Sequence, residues 1–199
     1  MRTRLILASA SEIRAQLLRN AGVDFSVETA RVDEEMIKES LLAEGVSPRD
    51  IADALAEAKA ARVSAKHPGH LVIGSDQVLE FEGAILSKPT SPAEALDQLE
   101  RMSGKRHMLW SAAVIFDEGK PIWRHIGQVR MQMRVLSDAY RQSYVDRNWE
   151  SIRHSVGGYK LEEEGVRLFS RVDGSTFDVL GFPLLEVLSY LGLRGEIET

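Results

Sequence analysis

The 199-residue sequence contains no cysteine. That absence excludes a disulfide scaffold, a thiolate zinc site and a cysteine nucleophile together, and it fits a reducing compartment. No stretch reaches the 18 or so consecutive apolar residues of a membrane-spanning helix, so a soluble, cytoplasmic protein with no membrane partner is expected. The opening Met1-Arg2-Thr3-Arg4-Leu5-Ile6-Leu7-Ala8 has a faint look of a secretory leader, but its apolar run is too short, and Glu12 and Arg14 follow closely. The GxxxxGKS/T and GxGxxG phosphate loops and the HExxH zinc motif are all missing. Ser75 lacks the GxSxG elbow of a serine hydrolase. His67 and His70 flank Pro68-Gly69, a poor frame for a metal pair, and the other histidines read as surface or strand-face polar groups. A net charge of −5 does not invite a nucleic acid polymer, although a local basic patch remains compatible with it.

What is present is ordinary globular composition, 44% hydrophobic and 28% charged, at a length that suits one domain over residues 1–199. Residues 4–8 read as a buried strand, Ser11 as the N-cap of a helix to Asn20, and Phe25 to Thr29 as a second strand. Helices follow over 34–44 and from Ser47-Pro48 to about Lys66. Residues 72–89 form a hairpin turning at Glu82-Gly83, and Ser91-Pro92-Ala93-Glu94 opens a helix stopped by Ser103-Gly104. Period-two alternation on either side of Asp117-Glu118-Gly119-Lys120 predicts a long antiparallel hairpin. Ser137 caps a helix to about Asn148, 148–165 reads as an irregular loop, 166–172 as a strand, and 183–193 as a final helix. Hairpins mixed with helices imply an α/β fold with a mixed, twisted sheet and flanking helices.

Chemistry is expected where charge interrupts this pattern. Asp76 stands inside the apolar run 72-VIGSDQVLEF-81, where an ionised carboxylate costs several kcal/mol unless compensated. Its bland explanation is a carboxylate bonded to backbone amides at a turn or bulge near Gly74. Ser9-Ala10-Ser11 joins a strand to a helix N-terminus, a natural anion site, and Arg14 lies one turn further on. Lys59 and Lys88 taken singly read as a snorkelling lysine and a solvated turn residue. Taken together, one acid, several cations, a helix N-terminus and no thiol match the needs of phosphate-ester hydrolysis: charge neutralisation, a proton acceptor for water, and a stabilised leaving group.

LILASAS at 5–11 with Arg14, Asp33-Glu34, ALAEAKA at 54–60, IGSDQV at 73–78, SKP at 87–89 and LERMSGKRH at 99–107 resemble the Maf proteins. So do VGGYKLEEEG at 156–165 and RVDGSTFDVLGFPL at 171–184, in order from residue 4 to about 192. The resemblance implies two lobes around a nucleotide cleft, a fold similar to the inosine triphosphate pyrophosphatases, and hydrolysis of a nucleoside triphosphate to monophosphate and pyrophosphate with Mg²⁺ or Mn²⁺. By position it implies Asp76 as proton acceptor, with Glu34 and Asp76 as metal ligands. Ser9, Ser11, Arg14, Lys59, Gln77, Lys88 and Glu162 would bind substrate. A homodimer is compatible with it.

Two departures stand out. Where the family commonly has Ser-Pro-Arg-Arg, this chain has Ser11-Glu12-Ile13-Arg14, losing one arginine and gaining an acid. Glu162 aligns with a position that is glutamine in a branch acting on thymidine and uridine triphosphates, and glutamate in a branch linked to methylated guanosine and some pyrimidine triphosphates. An ionised glutamate only accepts hydrogen bonds, which favours a base edge offering N–H groups. The rival expectation is a regulator of cell division acting through partner binding, with the Glu162-Glu163-Glu164 run and the faces of the long hairpin as its surface. A third is a broad purine-triphosphate housekeeper.

Overall fold

The computed structural model describes residues 4–198; the leader question at Met1-Arg2-Thr3 falls outside them. Seven strands form one mixed sheet in the order β2-β1-β3-β5-β6-β7, with β4 pairing β3 off that path. β1 (Leu5–Ala8) is apolar at every position and buried along its length, because it runs parallel between β2 (Ser26–Val27) and β3 (Leu71–Phe81). The predicted second strand, 25–29, shrinks to those two paired residues. β5 (Arg106–Asp117) and β6 (Lys120–Met133) make the long hairpin, and β7 (Phe169–Asp173) closes the sheet against β6.

The helices are α1 (Glu12–Asn20), α2 (Glu34–Ala43), α3 (Pro48–Ser64), α4 (Pro92–Met102), α5 (Asp138–Ile152), α6 (Thr176–Val179) and α7 (Leu184–Leu193). Serine caps open α3, α4 and α5 as the sequence suggests, each hydroxyl accepting a backbone N–H two residues into the helix. α5 runs a turn past Asn148, and the supposed loop 148–165 ends instead in tight 3-10 turns at Val156–Gly158 and Glu164–Leu168. The second turn takes residues 166–168 from the expected last strand. Arg147 and Asn148 hydrogen-bond Glu164, which anchors this stretch and ties up one glutamate of the 162–164 run.

Three apolar clusters hold the layers together. Leu7, Ile73 and Ile115 pack with Leu18, Phe182 and Val187 on the α1 and α7 side. Ile6, Val72 and Val114 pack with Leu55, Ala56 and Ala60 on the α3 side. Leu79, Leu109 and Met131 pack with Leu99 and Tyr144 beneath α4 and α5. β3 and β5 thread from the first two clusters into the third, giving two lobes on one sheet. On the outer edge of β3, β1 pairs with Leu71 to Gly74, and β4 (Ala84–Leu86) pairs with Leu79 to Phe81. Residues 75–78 between them have no strand on that edge, and there the sheet opens into a cleft. This is where the apolar run of β3 turns polar.

The small side chains of α3 let it lie close against the sheet. Ala56 and Ala60 face Gly74, whose missing side chain is filled by the helix itself: a Cβ there would sit 2.1 Å from the Ala56 carbonyl oxygen and 2.6 Å from the Ala60 nitrogen. That approach carries Lys59, one residue before Ala60, to the cleft.

Candidate active site

The cleft has a volume of about 870 Å³ and is bounded by the 9–11 loop, α2, α3 and the bare edge of β3 on one lobe, and by 87–90 and 154–162 on the other. At its floor Asp76 is 8% exposed. Its Oδ1 accepts a 2.7 Å hydrogen bond from Lys59 Nζ. The same ammonium lies 2.9 Å from Glu34 Oε1, so one cation on α3 ties two carboxylates, from α2 and β3. Asp76 sits in a regular strand paired with Ala112, and a lysine compensates its charge. The turn-or-bulge explanation is thereby corrected.

Glu34 reaches this point because Asp33 caps α2, its carboxylate accepting the Met36 N–H, and sets Glu34 in the first turn. Burial alone would push the Glu34 carboxyl up, but Lys59, Lys88 and Arg14 together hold it below its ordinary value. Lys88 follows β4, is exposed, and makes no hydrogen bond or ion pair among the described residues, so its charge is available to a ligand. Asp76 Oδ2 likewise accepts no hydrogen bond.

The first loop supplies donors. Ser11 occupies the N-cap position of α1 with no side-chain cap bond, which leaves its hydroxyl uncommitted to the helix. Ser9 Oγ accepts from the Ser11 N–H at 3.2 Å and from Arg14 Nη1 at 3.3 Å. Arg14 lines the cleft and is also committed within the protein. It is buried, with Nε donating to Gly181 O and Nη1 to Ser75 O, so it braces the underside of β3 and leaves Nη2 as its unbonded nitrogen. Burial lowers its pKa, opposed by Asp76 and Glu34. The additional acid Glu12 lies at the mouth of the cleft and pairs with Arg19 of its own helix.

Gln77 also lines the cleft and commits its donor nitrogen within the protein. Its Nε2 donates to Ser111 Oγ, Asp178 O and Val179 O at 2.9–3.0 Å, so the amide nitrogen is spent on holding the 178–181 segment rather than a ligand. Glu162 is exposed on the opposite wall, near Lys160 and His154. His107, read as a strand-face polar group, is buried, shares a 2.7 Å hydrogen bond with Tyr159, and is pushed down to about 4 by desolvation. Tyr159 lines the cleft, so this pair supports its wall. The sequence held a signal for one further residue: Lys38 lies four positions after Glu34 on α2 and shares its face.

No group of three or more histidine, aspartate or glutamate side chains able to hold a metal occurs among the described residues. Asp76 and Glu34 alone are two carboxylates, each with one oxygen engaged by Lys59. Mg²⁺ takes one or two carboxylates together with substrate phosphates and waters, so this pair fits a cation brought with a polyphosphate better than a resident one.

A family model described as "Maf-like protein" matches residues 4–193. The chain belongs to the Maf family. Curated Maf relatives named "Nucleoside triphosphate pyrophosphatase" are 67% identical in a Ruegeria species, covering 100% of both chains, and 66% identical in Ruegeria pomeroyi, covering 98% of both. A relative in Brucella abortus, 42% identical over 96% of each chain, is named "7-methyl-GTP pyrophosphatase". Among the described residues, no helix of this Maf chain is long and apolar enough to cross a membrane.

Proposed function

We propose that this chain hydrolyses nucleoside triphosphates to nucleoside monophosphate and pyrophosphate, removing non-canonical or surplus nucleotides in the cytoplasm. The observation that carries the reading is Asp76 at the floor of a cleft, tied through Lys59 to Glu34, with the unpaired Lys88 on the facing lobe. The relatives' names support the same chemistry. Ser9, Ser11 and the first-turn amides of α1 would hold phosphate oxygens, with Lys59 and Lys88 opposing their charge from two sides. Asp76 Oδ2 takes the proton of a water attacking the α-phosphorus. The bond from that phosphorus to its bridging oxygen breaks, and pyrophosphate leaves against the cations. Glu34 and Asp76 would hold a divalent cation, which would supply further charge neutralisation on the phosphates.

Glu162 lines the cleft as an acceptor, which suits a base edge rich in N–H groups; the Brucella relative named for 7-methyl-GTP agrees with that preference. The test is a panel of canonical and modified triphosphates with Mg²⁺ or Mn²⁺, following pyrophosphate, in the parent and in Asp76→Asn. Loss of the proton acceptor should lower kcat by about 10²–10⁴-fold in a protein that still folds. An Asp76→Asn protein with parental turnover would remove Asp76 from the chemistry.

A further inference from the structure

α2 has no buried residue in its ten positions, yet it presents three charged residues to the cleft, Glu34, Glu35 and Lys38. Glu34 meets Lys59, and Lys38, one turn on, reaches across to the other lobe, where its Nζ donates to Ser87 Oγ at 2.9 Å. Nζ also lies 2.6 Å from Glu35 Oε2 on its own helix, and the Lys38 side chain is only 15% exposed. Ser87 is fixed in the second lobe, since its carbonyl accepts from Gln98 Nε2 of α4 at 3.0 Å, and it directly precedes Lys88.

A lysine ammonium carries three donors, and two are engaged here. One of its partners is a neutral hydroxyl. A phosphate oxygen is a charged acceptor and makes a hydrogen bond roughly twice as strong. We propose that Lys38 is a further polyphosphate-binding residue, resting on Ser87 in the free protein and transferring to a phosphate farther from Asp76 than the one Lys59 meets. The exchange would draw α2 onto the outer phosphates, with Glu35 keeping the ammonium charged and oriented. This inference rests on the pyrophosphatase reading and extends it to the grip on the leaving group.

The test compares the parent with Lys38→Met, which keeps the apolar stem and the helix propensity, and with Ser87→Ala. Steady-state pyrophosphate release and inhibition by added pyrophosphate are measured in all three. Lys38→Met should raise KM about tenfold or more with kcat changed less than about threefold, and weaken pyrophosphate inhibition by a similar factor. Ser87→Ala removes only the resting partner, so KM should stay at the parental value or fall. Unchanged KM and unchanged inhibition in Lys38→Met would overturn the proposal. So would a Ser87→Ala protein with the same defect as Lys38→Met, because the contact would then be a structural tie. Calorimetric titration with pyrophosphate and Mg²⁺ reads the same contrast without turnover. A parent that binds pyrophosphate through Lys38 but cleaves no triphosphate would refute the reaction and uphold the contact.

Discussion

Gly74→Ala should damage the active site without touching any residue in it. The added Cβ would stand 2.1 Å from the Ala56 carbonyl oxygen and 2.8 Å from the Ala60 Cβ, where ordinary contact begins near 3.4 Å. Relief on the Ala56 side alone requires the α3 backbone to retreat by about 1.3 Å. Neighbours on both sides are backbone or short side chains in a fully buried layer, so no flexible tip can absorb the clash. Overpacking of this kind costs about 3 kcal/mol, which for a chain of this size lowers the melting temperature by about 6–12 °C. Lys59 rides on the displaced helix, and its 2.7 Å contact with Asp76 would stretch towards the outer limit of an ion pair, about 4 Å. A misplacement near 1 Å in a catalytic arrangement costs on the order of 10²-fold in rate. Thermal melting and pyrophosphate-release kinetics on the purified variant check both halves. A protein melting within a degree or two of the parent and keeping kcat/KM within about twofold would refute the argument that α3 and Gly74 set the Lys59–Asp76 distance.

Lys88→Ala should leave the melting temperature nearly unchanged while raising KM or lowering kcat, because Lys88 makes no hydrogen bond or ion pair among the described residues and acts on Glu34 only through its charge; equal kinetics would remove it from the site. His107, buried and neutral, has a folded pKa of about 4 below its ordinary 6.5. The unfolded chain therefore binds the proton first, and stability falls as pH drops from about 6.5 to about 4, by roughly 3 kcal/mol in all. His107→Gln should remove that slope in denaturant titrations at stepped pH. Asp178 acts in the opposite sense: burial, then the charge of Glu186, raises its carboxyl to about 6 from 3.8. The folded state holds that proton longer, so stability falls as pH rises between these values, and Asp178→Asn should flatten the loss. Because the two slopes oppose each other near pH 5, the parent curve alone should look flatter than either variant's.

Much of the fold was legible because local physics decides it. Ser47-Pro48 and Ser91-Pro92 start a helix wherever they meet the right pattern, and period two over 106–133 cannot be a helix. The errors fall where long-range contacts outweigh local preference. α5 outran Asn148, and 148–165 became ordered turns, because Glu164 is held by Arg147 and Asn148 across a gap of sequence. His107 looked like a strand-face polar residue because its face is set by which helices cover the sheet, and α4 and α5 cover that one.

The sequence by itself determined which residue types are available: a solitary acid in an apolar strand, lysines and serines at element edges, and no thiol. It also marked the family through ordered motifs. Only the tertiary structure decided how those groups are used. Arg14 and Gln77 carry donors suited to phosphate, yet Arg14 gives Nε to Gly181 O and Nη1 to Ser75 O, and Gln77 gives Nε2 to Asp178 O and Val179 O, all carbonyls far from the donor in sequence. Lys59 and Asp76 are 17 residues apart in sequence and meet because a glycine admits a helix against a strand. Side-chain chemistry is local, but which donor faces which acceptor follows from how the sheet opens between β1 and β4, and no single segment encodes that gap.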